Sequence, residues 1–236
     1  MNLYLQTIRA TIKAFPAVIP HLKGRARWVA FAHGLEYKTY DFFLSTLTRM
    51  VTNAYNWNMG GDFIDVMANL ISGQLTQAYQ QAWDEQGDGT ELPDYLASSR
   101  DDMILNEYDY VDGYFRDIMT ARLDQTPIDP LIARASIWAN RWNEAYNAAL
   151  HLIAVDNQDN EDWILGETET HCPSCSALNG IVVRASDWED LGVHPQGAPN
   201  DSLDCGGWNC DCRREATDKR RTRNGYDKIA GIVGRG

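Results

Sequence analysis

The sequence predicts a mainly α protein, a helical body of five to seven helices carrying a small β-containing module near the C-terminus. Two observations carry this. Apolar residues recur at spacings of three and four through most of residues 1–155, the period of a helix with one buried face. The residues after 156 lose that period, and all five cysteines of the chain fall between positions 172 and 212. The expected organisation is an N-terminal amphipathic arm with a basic link (1–27), a helical body (28–155), a cysteine-rich module (156–214) and a basic C-terminal tail (215–236).

Leu5, Ile8, Ile12 and Phe15 form one apolar stripe, which Pro16 and Pro20 end before the basic link Lys23-Gly24-Arg25-Ala26-Arg27. This arm is short and its polar face carries two cations, which suits docking on protein better than on a membrane. From Trp28 to Trp57 the aromatic-rich pattern Phe31, Leu35, Phe42, Phe43, Leu47, Met50, Val51, Ala54 reads as a helix bent at Gly34 and ended by Gly60-Gly61. Asp62 caps the next helix, with Phe63, Val66, Met67, Leu70, Leu75 and Ala78 facing inward. Residues 86–92 read as a loop, and Pro93 opens a helix through Leu96, Met103 and Ile104. Val111, Phe115, Ile118 and Met119 form either its bent continuation or a separate helix. Thr126-Pro127-Ile128-Asp129-Pro130 stops that run, and Asp129 caps a long helix reaching about Ala154, with Trp138, Trp142, Ala145, Ala149 and Leu150 inward. Asp156 to Asp162 reads as an acidic loop and Gly180-Ile181-Val182-Val183 as one side of a short hairpin. Ser186-Asp187-Trp188-Glu189 reads as a capped helical turn, and 194–204 as an exposed loop.

The formal net charge of −12 is unevenly spread. Residues 1–35 hold five basic residues and no acid, residues 213–236 eight basic against three acidic, and the stretch between eight basic against thirty acidic. An acidic body repels nucleic acid, while short basic ends can touch phosphate or an acidic protein surface. The candidate contacts are Arg213, Arg214, Lys219, Arg220, Arg221 and Arg223, on a strand with too little apolar content to fold alone. No run of 18 apolar residues exists to span a membrane, and the N-terminus lacks the apolar core of an export signal.

The cysteines read Cys172-Pro173-Ser174-Cys175 and, after 29 intervening residues, Cys205-x4-Cys210-x-Cys212. Two thiols in a C-x-x-C turn can face one ion, and a distant pair completes a tetrahedral thiolate shell, the usual demand of structural zinc. Gly206 and Gly207 suit a tight knuckle. A disulfide framework fits poorly, because the count is odd and the chain is long. A thioredoxin-like motif lacks its preceding βαβ pattern. The expected site is therefore one structural zinc held by four of Cys172, Cys175, Cys205, Cys210 and Cys212, with Cys205 and Cys212 competing for the last place.

Cys-Pro-x-Cys-x-x-Leu-x-Gly (Cys172 to Gly180), ending in Cys-x-Cys (Cys210 to Cys212), resembles the C-terminal signature of phage head-morphogenesis proteins, the minor head protein family typified by protein F of phage Mu. Trp163 and the upstream segment Ile132-Ala133-Arg134 to Ala145-Tyr146-Asn147 fit the same pattern, so the resemblance covers about residues 128–214. Gly207 stands where many members have a histidine, with Cys205 two residues earlier as a substitute ligand. The resemblance implies a structural minor head protein of a tailed phage, located in the virion near the portal and in the host cytoplasm during assembly. Its implied partners are portal or capsid protein, and packaged DNA through the basic ends.

Enzymatic patterns are scarce. None of the five histidines is followed two residues later by Glu, as a zinc deaminase requires, and H-E-x-x-H, G-x-S-x-G and the Walker loop are absent. Asp101, Asp102, Asp109 and Asp112 read as a solvated helix face. No catalytic residue is assigned. The alternative is a zinc-dependent nuclease or processing enzyme, which needs an open metal position supplied by His171 or His194 and a water.

Overall fold

The structure, a computed structural model, describes residues 39–60, 62–87, 91–167, 170–197, 199–208 and 210–234. The expected N-terminal arm, and the part of the next helix before Thr39, lie outside these residues. Seven helices and one three-stranded sheet are present among them, so the chain is mainly helical with a small β-containing C-terminal part. Four long helices come first, α1 (Thr39–Tyr55), α2 (Asp62–Gln86), α3 (Asp94–Leu123) and α4 (Asp129–Asp156). The rest follows as β1 (Asn160–Ile164), α5 (Pro173–Leu178), β2 (Val182–Arg184), α6 (Ala185–Asp190), β3 (Arg213–Thr217) and α7 (Gly225–Val233). The described residues form two compact units, one of 39–81 with 93–145, the other of 82–92 with 146–234. No helix among them is long and apolar enough to cross a membrane.

The first unit is built as its periodicity dictates. Phe43, Leu47, Met50, Val51 and Ala54 bury one face of α1, and α2 contributes Phe63, Met67, Ile71, Leu75 and Ala78. Val66, expected inside, is 43% exposed, so the buried stripe of α2 runs through Ile71 rather than Val66. Helix α3 is continuous for 30 residues, with Leu96, Ile104, Val111, Tyr114 and Ile118 inward. Its centre is aromatic: Phe63 stacks on Phe115 at 5.3 Å, Tyr114 packs on Trp138 at 4.6 Å, and the Tyr114 hydroxyl donates to the Leu131 carbonyl at 2.5 Å. Such ring pairs add directional attraction to the area they bury. The acids of α3 form the solvated face expected of them. Asp102, Asp109 and Asp112 are exposed, Asp112 pairs with Arg116, and Asp101 pairs with Arg100 at 2.7 Å.

One ion pair of this unit is buried. Arg141 of α4 lies 3.0 Å from Glu107 of α3, and also pairs with Glu144 one turn along. Burial is the largest influence on the Glu107 carboxyl and raises it; Arg141 opposes this by less, so Glu107 stays above the usual carboxylate range. Burial also disfavours the charged Arg141, but Glu144 and then Glu107 more than offset it.

The second unit carries an antiparallel sheet in the order β2-β1-β3. Its central strand occupies much of the expected acidic loop, pairing Asn160 with Arg184 on one side and with Thr217 on the other. The acids do not prevent this because each has a partner. Glu161, 1% exposed, meets Nδ1 of His151 at 2.8 Å, and Asp162, 2% exposed, meets Nζ of Lys219 at 2.5 Å. Two further corrections concern the strands. Val182-Val183 is not part of a local hairpin, since its partner β1 precedes it by a whole helix. The basic C-terminal segment is not a loose strand either. Arg213–Thr217 forms β3, and α7 packs on α5 and β2 with Ile229 fully buried. Thr222 locks the link between them, its N–H donating to the Val182 carbonyl at 2.8 Å and its Oγ1 accepting from the Val182 N–H at 3.0 Å. A Cβ at Gly225 would lie 2.5 Å from Cγ1 of Val183, so only glycine lets α7 start this close to β2.

Replacing Arg141 with Met removes the cation that offsets Glu107, and breaking a buried pair in this way costs roughly 3–5 kcal/mol at neutral pH. A carboxyl whose folded pKa is raised binds a proton more tightly folded than unfolded. Stability relative to wild type should therefore recover as pH falls through the raised Glu107 value toward the ordinary 4.5. Urea titrations of both proteins between neutral and mildly acidic pH check this, and a deficit independent of pH would count against it.

Candidate metal centre

The cysteines reach one place by different local devices. Cys172 is the N-cap of α5, with Pro173 at the first helical position, and its sulfur accepts the Cys175 N–H at 3.4 Å. The same sulfur lies 3.2 Å from the Ser174 hydroxyl. A helix N-terminus presents backbone donors and favours negative charge, which suits a thiolate. Cys175, one helical turn on, points into the core. On the far side, Gly206 and Gly207 take φ of 61° and 76°, values that L side chains resist, and turn the chain so that Cys205 approaches Cys172. Cys210 and Cys212 precede β3 two residues apart and are both buried.

Two cysteine triads result. The sulfurs of Cys172, Cys175 and Cys205 lie within 4.8 Å of one another, and so do those of Cys175, Cys210 and Cys212. The expected competition between Cys205 and Cys212 thus has a geometric basis, since each closes a different triad around Cys175. A third group within the same spacing is His171, Asp211 and Cys212. All five cysteines are free thiols in this structure.

The sulfurs polarise one another strongly. Cys210 is lowered to about 5, first by the hydrogen bond from Cys175 and then, against the cost of burial, by backbone donors of Gln196 and Cys212. Cys175 is pushed well above the thiol range, chiefly because it keeps its proton to donate to Cys210. Burial opposes ionisation of Cys172, yet Ser174 and Cys175 donate enough to bring it below its usual value. Burial raises Cys205 to about 11 and raises Cys212 as well. Without a cation only part of the cluster can ionise. A soft or borderline dication that binds thiolates is the species this donor set suits.

Second contacts fix the knuckles relative to each other. The Ser174 N–H donates to Oδ2 of Asp204 at 2.8 Å, and the Asp204 N–H donates to Oγ of Ser174 at 2.8 Å. This reciprocal pair clamps the start of α5 to the residue before Cys205. Buried Asn200 organises the approach, its amide donating to the carbonyls of His194 at 2.7 Å and Gln196 at 3.1 Å while its Oδ1 accepts the Ser202 N–H at 3.1 Å. Residues 194–204 were expected to be an exposed loop; instead Pro195, Gln196, Asn200 and Leu203 are buried. Under the cluster, Trp163 and Trp188 pack at 5.5 Å, and Ile181, Val193 and Ile229 complete the apolar floor.

The remaining candidates fall in different environments. His194 is exposed and meets the Asn200 amide at 3.3 Å, apart from the three donor groups. Arg214 is buried in β3, 3.9 Å from Glu161 and donating to the Val193 carbonyl at 3.3 Å. Burial lowers its pKa, with Glu161 and Glu189 opposing. It is a structural cation and cannot reach a partner. Arg213 pairs with Glu215 at 2.5 Å and Lys219 with Asp162, whereas Arg220, Arg221 and Arg223 have exposed side chains. Trp208, beside the glycine knuckle, is 52% exposed. Sequence reasoning missed Asp204, Ser174 and Asp211. Only Asp211 had a signal, its position between two cysteines.

Comparison with protein-family models, with characterised proteins and with solved structures finds no significant match to this chain.

Asp204→Ala should leave the chain folded but loosen the clamp, and removing such a supporting hydrogen bond weakens metal affinity by about 10–100-fold. Competition against a chromophoric chelator measures this. Asp204→Asn keeps an acceptor for the Ser174 N–H and should lose less. Equal losses in both variants would point to charge, not to the clamp.

Proposed function

We propose that this chain is a structural minor head protein of a tailed bacteriophage, without chemistry of its own, acting near the portal in head assembly or genome delivery. Zinc held by the cysteine cluster would fold the second unit and fix where its basic face lies. One observation carries the reading: the cysteines on which the family resemblance rests, Cys172, Cys175, Cys210 and Cys212, converge with Cys205 in two triads at ligand spacing that share Cys175. The exposed cations Arg220, Arg221 and Arg223 sit on the ordered link between β3 and α7, which is pinned to β2 by Thr222. A fixed array of this kind suits an acidic protein surface on portal or capsid. The acidic middle of the chain opposes a close approach to DNA. The second reading, a zinc-dependent nuclease or processing enzyme, draws on the mixed group His171, Asp211 and Cys212, which differs from an all-thiolate shell.

A mass-spectrometric inventory of purified particles tests the proposal, with a few copies per particle expected. The triple variant Arg220→Gln, Arg221→Gln, Arg223→Gln should fold normally, since these side chains are exposed, and should fail to enter heads. Absence of the wild-type chain from particles, together with metal-dependent cleavage of DNA or protein, would establish the enzymatic reading instead. Tight duplex binding whose salt slope drops by about one for each neutralised cation would make DNA the partner.

Metal removal gives a separate check on the role of the cluster. Trp163 and Trp188 lie fully buried against it, so stripping the metal should abolish their near-ultraviolet circular dichroism. The helical far-ultraviolet signal, which comes mostly from α1 to α4, should persist. Loss of both signals together would mean the two units do not unfold separately.

A further inference from the structure

Resting on the reading that the cysteines hold zinc, we infer that the cluster binds two ions, the second at His171, Asp211 and Cys212, with Cys210 as the thiolate shared between them. The three donor groups overlap in a telling order. The group Cys172, Cys175, Cys205 and the group His171, Asp211, Cys212 have no member in common. The middle group takes Cys175 from one and Cys212 from the other, and adds Cys210. Cys210 is therefore within ligand spacing of a member of each outer group. Two four-coordinate ions that share one ligand need seven donors. Seven stand here: Cys172, Cys175 and Cys205 for the first ion, His171, Asp211 and Cys212 for the second, and Cys210, grouped with Cys175 of the one and Cys212 of the other, to bridge them.

Geometry and charge favour this over a single ion with bystanders. Nδ1 of His171 lies 3.8 Å from Sγ of Cys212. Zinc–nitrogen and zinc–sulfur bonds at a tetrahedral angle place those atoms about 3.6 Å apart, so only a small closure is required. The carboxylate of Asp211 is seated over Gly166, where a Cβ would fall 2.1 Å from its Cγ. Gly166 thus leaves the space in which Asp211 turns toward His171, and its backbone also hydrogen-bonds the Cys212 sulfur. One dication on four thiolates leaves a fifth cysteine and the Asp211 carboxylate outside its shell, and a second dication would take both as ligands. With each ion closed by four protein ligands, neither offers an open position, which agrees with a structural role.

Native mass spectrometry of the full-length reduced chain, purified without chelator, counts the zinc directly. Two ions per wild-type chain are expected, and one in the His171→Asn, Asp211→Asn double variant. Gly166→Ala, which displaces Asp211 without replacing any donor, should also retain one. A single ion in wild type would overturn the second position and leave the thiolate site standing. No zinc in a folded, reduced wild type would overturn both readings. Two ions retained by the double variant would overturn the placement at His171 and Asp211. The wild-type count decides the matter even if a variant misfolds.

Discussion

The second unit depends on the crowding of five thiols around Cys175. Sulfur is large, and five sulfurs in two triads that share Cys175 occupy volume that an apolar core would otherwise fill with interlocking side chains. The cluster lies on Trp163, Trp188 and Leu178, so it is the upper half of the hydrophobic core, not an ornament on the surface. The elements around it are short. Helix α5 has six residues, β2 three and α6 six, lengths at which secondary structure has little stability of its own. Their order comes from what they converge on. Were the cluster to hold an ion, its binding energy would be folding energy, as in small metal-folded modules.

Beneath the cluster, β1 solves a second problem. A strand at the centre of a sheet is covered by neighbours on both edges, and here it presents Glu161 and Asp162 to buried surroundings. Each acid is answered from another element, Glu161 by His151 of α4 and at longer range by Arg214 of β3, Asp162 by Lys219 just past β3. A one-residue slip of β1 would exchange the faces of these acids and of Trp163, leaving charges without partners. Buried ion pairs contribute little net stability but penalise wrong pairings, and register is what this sheet needs specified. The same Lys219 that orients Asp162 is followed directly by Arg220 and Arg221, so the sheet's internal chemistry sets the position of the basic face.

Legibility in the sequence tracked how far each element follows a single rule. The four long helices obey one periodicity over many turns, and Gly60, Pro93 and Pro130 punctuate them, so their places could be read directly. The cysteine spacing named the metal-ligand candidates for the same reason, being a local pattern with few alternatives. Strand β1 could not be read because its acids obey a partner rule that only the fold reveals. Segment 213–236 misled through composition: its charges dominate the count, but Arg214 points inward, and Gly225 and Ile229 do the docking. Asp204 and Gly166 gave no signal, since a clamp between residues 30 apart and an empty space beneath a carboxylate leave no trace in one sequence.

The order β2-β1-β3 leaves the sheet with two edges, and unpaired strand edges invite other chains to add on. The β2 edge is engaged by Thr222, which takes both polar backbone groups of Val182. The β3 edge carries Arg213 and Glu215, charged side chains paired along the strand, with exposed Ala216 as its small apolar interruption. Charged edges resist strand addition, so the sheet is guarded against polymerising with copies of itself. In a concentrated solution of identical copies, such an edge disfavours the strand-by-strand addition that ends in aggregation.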